Sequence, residues 1–146
     1  MQLHIKRFQE LTLEELYEIL KLRIAVFVVE QNCPYLEADG NDQEAIHLWL
    51  EDEGGIQAYL RVLDRGVKSE HVSIGRVISM KRRTGLGTRL LREGIRAAEE
   101  FFGADKIYVE SQVYAKGLYE KQRFRLVSDE FLDDGIPHVQ MIRERE

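Results

Sequence analysis

Between residues 72 and 103 the hydrophobic period of the chain changes once, and the change falls on a pair of glycines. Residues 72–80 (VSIGRVISM) read as a strand, whereas Leu91, Ile95, Ala98 and Phe102 recur at helical spacing with Gly103 placed to end the helix. The join is Arg82-Arg83-Thr84-Gly85-Leu86-Gly87-Thr88. Glycines at 85 and 87 let backbone N–H groups turn toward a ligand with no Cβ in the way. The helix that begins there adds unpaired N–H groups and the positive end of its dipole. Such a strand-turn-helix unit favours a phosphate or pyrophosphate, with Arg82, Arg83 and Arg89 as charge-assisted donors around it. The same glycines also suit a tight turn that binds nothing.

Spelling separates the phosphate motifs. A P-loop needs Gly-Lys-Ser/Thr, which does not follow here, and a dinucleotide-binding turn needs a small residue where Leu90 stands. None of the serines is flanked by glycine as in a G-x-S-x-G elbow, so serine hydrolysis loses its sequence support.

The remaining periods place this unit in a layered fold. Residues 3–8 alternate as a short strand. Thr12 and Glu15 make a capping box for a helix carrying Leu13, Leu16, Tyr17, Leu20, Ile24 and Phe27. Residues 31–44 read as a long polar loop, the length of a lid or binding loop. Residues 46–50 and 56–63 form a hairpin around Gly54-Gly55, 106–110 a short β-branched strand and 113–122 a short helix. Residues 124–127 and 138–142 are two last strands around Asp133-Asp134-Gly135. With no internal repeat and a length of 146 residues, the expectation is one α/β (α+β) domain spanning 1–146, built on a single mixed sheet.

Charge narrows the partners. Lys+Arg 21 against Asp+Glu 26 leaves a net charge of −5, which argues against nucleic acid or an anionic membrane. The lone Cys33 excludes an internal disulfide, and no His/Cys spacing suggests a metal. Without a signal-like N-terminus or a run of ~20 apolar residues, a soluble, cytoplasmic protein is expected.

Arg82-x-x-Gly85-x-Gly87 between strand and helix, followed by Leu118-Tyr119-Glu120-Lys121-x-x-Phe124, resembles the GCN5-related N-acetyltransferase (GNAT) superfamily. The element order matches over nearly the whole chain. The stretch from Val26 through Glu30-Gln31-Asn32-Cys33-Pro34-Tyr35 with Asp39-Gly40, and Asp134-Gly135-Ile136-Pro137-His138, resembles its ElaA-like branch. The resemblance implies a mostly antiparallel sheet, splayed in the middle and flanked by helices, with acetyl-CoA as co-substrate. Pantetheine would lie in the splay against the backbone of Val77, Ile78 and Ser79. The pyrophosphate would sit on N–H groups from Arg83 through Thr84, Gly85, Leu86 and Gly87 to Thr88, beside Arg82. Gln112 stands where many members carry an asparagine, and Tyr119 matches a tyrosine able to protonate the departing thiolate. Arg123 departs from the pattern: it stands where the family has a helix-ending glycine. Left-handed geometry there would cost arginine roughly 1 kcal/mol more than glycine, unless the helix ends differently.

Direct transfer needs a neutral amine, so a base is required; Glu110, His138 and Glu30 are the candidates, the first two ranked ahead. The acceptor is a small-molecule amine, an amino-acid derivative, or a peptide N-terminus or lysine, and a homodimer through the last strands is compatible with the fold. A non-catalytic acyl-CoA sensor is the alternative reading. Elsewhere the plainer expectations hold: His47 and Trp49 as core residues, and Arg89, Arg92 and Arg96 as an ion-paired helix face. Cys33 is expected as a loop thiol rather than a nucleophile. Glu37, Asp39, Asp42 and Glu44 serve either to attract a cationic acceptor or to keep the lid solvated.

Overall fold

A computed structural model describes residues 1–80 and 84–145. Its centre is one sheet in the order β1-β2-β3-β4-β5-β8-β6, with β7 also paired to β8. The strands are β1 (Gln2–Arg7), β2 (Ile46–Asp52), β3 (Gly55–Leu63), β4 (Val72–Ser79), β5 (Lys106–Gln112), β6 (Arg125–Leu126), β7 (Phe131–Asp133) and β8 (Ile136–Glu144). Every pairing is antiparallel except β4 with β5. The mixed, mostly antiparallel architecture flanked by helices is the one expected. Two details differ: Phe8 leaves the first strand for a 3-10 turn, and the short strand β7 forms a hairpin with β8 across Asp134-Gly135.

The helices follow from their caps. The Thr12 side chain accepts from the Glu15 N–H and Glu15 returns to the Thr12 N–H, starting α1 (Leu13–Arg23). Beyond Arg23 the helix widens into π-turns over Ile24–Glu30, so the apolar recurrence through Phe27 spans two helix types. Helix α2 (Leu86–Phe102) buries Leu90, Leu91, Ile95 and Ala98. It ends in an αL cap at Gly103 (φ 58), with Gly103 N–H on Glu99 O and Ala104 N–H on Ala98 O. On its exposed face Arg96 bonds Glu93 at 2.8 Å, the solvated pairing expected of that face. Helix α3 (Lys116–Glu120) is shorter than expected because residues 113–115 form a 3-10 turn.

Alternation along the strands separates two cores. Ala58, Leu60, Val62, Ile74, Ile107 and Val109 face α2 and α3, while Trp49, Tyr59 and Ile78 pack with Ile19 of α1. Gly94 explains how closely α2 lies on the sheet: a Cβ there would come within 3.0 Å of Leu60 Cδ2. No described helix is long and apolar enough to cross a membrane.

Candidate active site

The sheet opens where its one parallel pair ends. β4 and β5 pair only at Val72 with Ile107 and Ser73 with Tyr108, after which the strands diverge. On its other side β4 carries a bulge: pairing with β3 steps from Arg61–Gly75 to Tyr59–Ile78, three residues on β4 against two on β3. Arg76 inside the bulge has φ 54, a left-handed geometry that costs a non-glycine residue about 1–2 kcal/mol. A cleft of about 420 Å³ fills the opening.

Most of the residues expected to form a site line this cleft: Val77, Ile78 and Ser79 on β4, Gly87 on α2, Glu110 and Gln112 on β5, Tyr119 on α3 and His138 on β8. Glu30 and Cys33 line it as well. Gly85 takes φ 81 as the N-cap of α2, and its carbonyl accepts the Arg89 N–H at 3.0 Å. A Cβ on Gly87 would lie 3.6 Å from Ser79 Cβ, so the first turn of α2 sits directly against the end of β4. Thr84 and Thr88 belong to this turn, and Leu86 packs into the core beneath it. Arg82 and Arg83 lie outside the described residues. Arg89 is exposed and does not line the cleft.

Tyr119 is held by the end of its own helix. The Phe124 N–H bonds Tyr119 O and the Arg123 N–H bonds Glu120 O, a Schellman motif with Arg123 at φ 68. Arginine therefore adopts the left-handed position itself, rather than the helix ending differently. The Tyr119 and Phe124 rings then meet edge to face at 5.6 Å. Burial, helped by Tyr114, pushes the Tyr119 hydroxyl up, so it keeps its proton at neutral pH. His138 Nδ1–H donates to Ile136 O at 2.7 Å, which leaves the lone pair on Nε2. Glu110 lies 3.1 Å from Lys68 Nζ. The Cys33 thiol is pushed up by burial and by Asp134 and Asp133, and Sγ–H reaches Asp134 O at 3.6 Å, the state of an inert thiol.

The acidic loop serves neither purpose expected of it. Glu37 and Asp42 are buried and, with Asp39, pair with arginines inside the protein; of the four acids Glu44 alone is exposed. Arg23, with 0% of its surface exposed, donates to Glu37 Oε2 at 2.7 Å and Asp42 Oδ1 at 2.6 Å. Arg61 donates to Asp39 and Asp42, and Arg76 to Glu37 Oε2 at 2.7 Å. The Tyr35 hydroxyl also donates to Glu37. Three guanidinium groups thus neutralise three carboxylates. Sequence reasoning missed this cluster, although Arg23 and Arg61 inside apolar runs were its signal.

His47 is bonded on both sides, accepting from Tyr59 at Nδ1 (2.6 Å) and donating from Nε2 to Asp42 O (3.0 Å), as befits a core histidine. Trp49 is buried beside it, stacked on His4. Burial pushes His47 below its ordinary pKa. Burial alone would raise Asp42 and Asp39, but hydrogen bonds and charge from the arginines outweigh it and hold both below the usual carboxylate range. The unfolded chain binds protons at His47 below pH ~6.5 and at the aspartates below pH ~4, while the folded chain resists both. Stability should therefore fall with pH in two steps. Unfolding midpoints measured from pH 8 to 3 check this, and a midpoint that stays flat through both windows would contradict the pairing.

Comparison with known proteins agrees with this geometry. The family described as "Acetyltransferase (GNAT) domain" matches residues 14–145. A UPF0039 protein of Schizosaccharomyces pombe is 40% identical over 140 residues, covering 93% of this chain and 92% of that one. The crystal structure of an acyl-CoA N-acyltransferase from Pseudomonas aeruginosa superposes with a TM-score of 0.89 at 40% identity, covering 97% and 98% of the two chains. That of Escherichia coli ElaA gives 0.89 at 32% identity, covering 99% and 100%. The splayed sheet, the glycine turn on α2 and these matches together mean that the chain belongs to the GNAT acetyltransferase family, among relatives that include ElaA and the UPF0039 proteins.

Proposed function

We propose that the protein is an acetyl-CoA-dependent N-acetyltransferase that moves the acetyl group directly to an amine in a ternary complex. The observation that carries this reading is the cleft where β4 leaves β5, with the first turn of α2 at one end and Tyr119 and His138 in its walls. The residues present suit the cofactor. Beyond Ser73 the β4 backbone is no longer paired with β5, so it can bond an amide-bearing arm. The missing side chain of Gly87 keeps the cleft open at the α2 end, where N–H groups and the helix dipole favour a pyrophosphate.

When bound, acetyl-CoA supplies a thioester open to attack by an amine. His138, through Nε2, would take the amine proton, with Glu110, paired with Lys68, the other candidate. Tyr119 holds a proton that it can give to the departing sulfur. A thiol of pKa ~8.5 leaves readily without help, so Tyr119→Phe should lower kcat only about tenfold, below the ~10²–10⁴ usual for acid–base groups. His138→Gln should cost the larger factor. Release of free CoA thiol from acetyl-CoA, measured across a panel of primary amines and basic peptides, tests both. No release with any amine, despite tight acetyl-CoA binding, would replace transfer by acyl-CoA sensing. An unchanged kcat in Tyr119→Phe would remove Tyr119 from its role.

A further inference from the structure

We propose that the loop carboxylate Glu37, acting through Arg76, is a positioning group that holds the bulge of β4 in the shape that receives the pantetheine arm. This rests on the cofactor reading above. Arg76 is the one left-handed non-glycine residue inside a described strand; Asn32, Arg123 and Asp134 lie at turns or helix ends. Glycine, present next door at Gly75, would adopt that geometry more easily, so the arginine side chain accounts for the choice. It reaches Glu37 Oε2 at 2.7 Å and Asp39 Oδ2 at 3.4 Å, with its guanidinium 5.6 Å from the centre of the Tyr35 ring.

Glu37 is itself fixed. It is 4% exposed, bonded by Arg23 at 2.7 Å and by the Tyr35 hydroxyl. The grip therefore runs from α1 through the loop to the middle of β4. Immediately after Arg76 come Val77, Ile78 and Ser79, which line the cleft beyond the point where β5 departs. The bulge sets the rotation of that segment and thus the aim of its N–H and C=O groups. The pyrophosphate end belongs to a separate element, α2, which meets this segment at Ser79 beside Gly87.

Titration calorimetry with CoA and with 3′-phospho-ADP, the half of CoA that lacks the arm, tests the assignment. Arg76→Gly keeps the kink accessible but removes the grip. Glu37→Gln keeps the size of the side chain but removes the charge that holds Arg76, and serves if the first variant does not fold. Each should weaken CoA by about tenfold or more while leaving 3′-phospho-ADP within about twofold, as expected for roughly 1.4 kcal/mol lost at the arm alone. Equal weakening of both ligands would show general loosening and overturn the proposal. A wild type that binds CoA beside an Arg76→Gly protein that binds it equally well would overturn the positioning role alone. A wild type that binds neither ligand would overturn the cofactor reading and the positioning role with it.

Discussion

Replacing Gly87 by glutamate is expected to abolish acetyl-CoA binding while leaving the fold intact. Gly87 lines the cleft in the first turn of α2, and its φ is not left-handed, so a side chain is sterically possible there. The nearest described atoms to a Cβ would be those of Ser79 at 3.6 Å and Leu118 at 3.9 Å, which are ordinary contacts. Gly87→Ala should therefore be as stable as the wild type. Glutamate extends further and brings a negative charge to the place proposed for a pyrophosphate. Like charges in a binding site cost several kcal/mol, which corresponds to about a hundredfold or more in Kd. Titration calorimetry on Gly87→Glu, with Gly87→Ala as control, measures this. A glutamate variant that binds acetyl-CoA within about threefold of wild type would move the pyrophosphate away from α2.

The second large effect is on stability. Arg23 is fully buried and satisfies both Glu37 and Asp42, so Arg23→Met leaves one buried carboxylate uncompensated. Breaking a buried pair in this way costs about 3–5 kcal/mol. At about 2–4 °C per kcal/mol, the unfolding midpoint should fall by roughly 10 °C. Adding Asp42→Asn restores neutrality, since Arg61 and Arg76 then face Asp39 and Glu37. The double variant should be more stable than Arg23→Met alone. Scanning calorimetry decides, and strictly additive losses would mean that the cluster does not act as a charge-balanced unit.

How much of this is legible in the sequence depends on whether local pattern or tertiary contact decides a residue's place. Gly85 and Gly87 announce the turn because a change from strand to helix period falls on them, and Thr12 with Glu15 announces α1 through bonds made within three residues. Tyr119 is legible by its resemblance. Its setting shows only once Arg123 is seen in the left-handed position with Phe124 against the ring. The buried cluster is opaque for the opposite reason. Each of Glu37, Asp39 and Asp42 reads as solvated by itself, and their partners Arg23, Arg61 and Arg76 lie on three other elements. The short strand β7 is hidden because its three residues pair only through the turn at Asp134-Gly135. Neither the point at which β4 stops pairing with β5, after Ser73, nor the bulge at Arg76 that follows it on the β3 side is encoded in a hydropathy pattern.

The most direct test of the central claim is a thermal-shift titration of the wild-type protein with acetyl-CoA, CoA and ATP side by side. A ligand at 100 times its Kd adds ~2.7 kcal/mol of stability, enough to raise Tm by several degrees. Both CoA forms are expected to raise the midpoint, and ATP, which lacks the pantetheine arm, to do so much less. A shift with ATP and none with either CoA form would contradict the account, because the turn at Gly85 and Gly87 would then be serving a different phosphate.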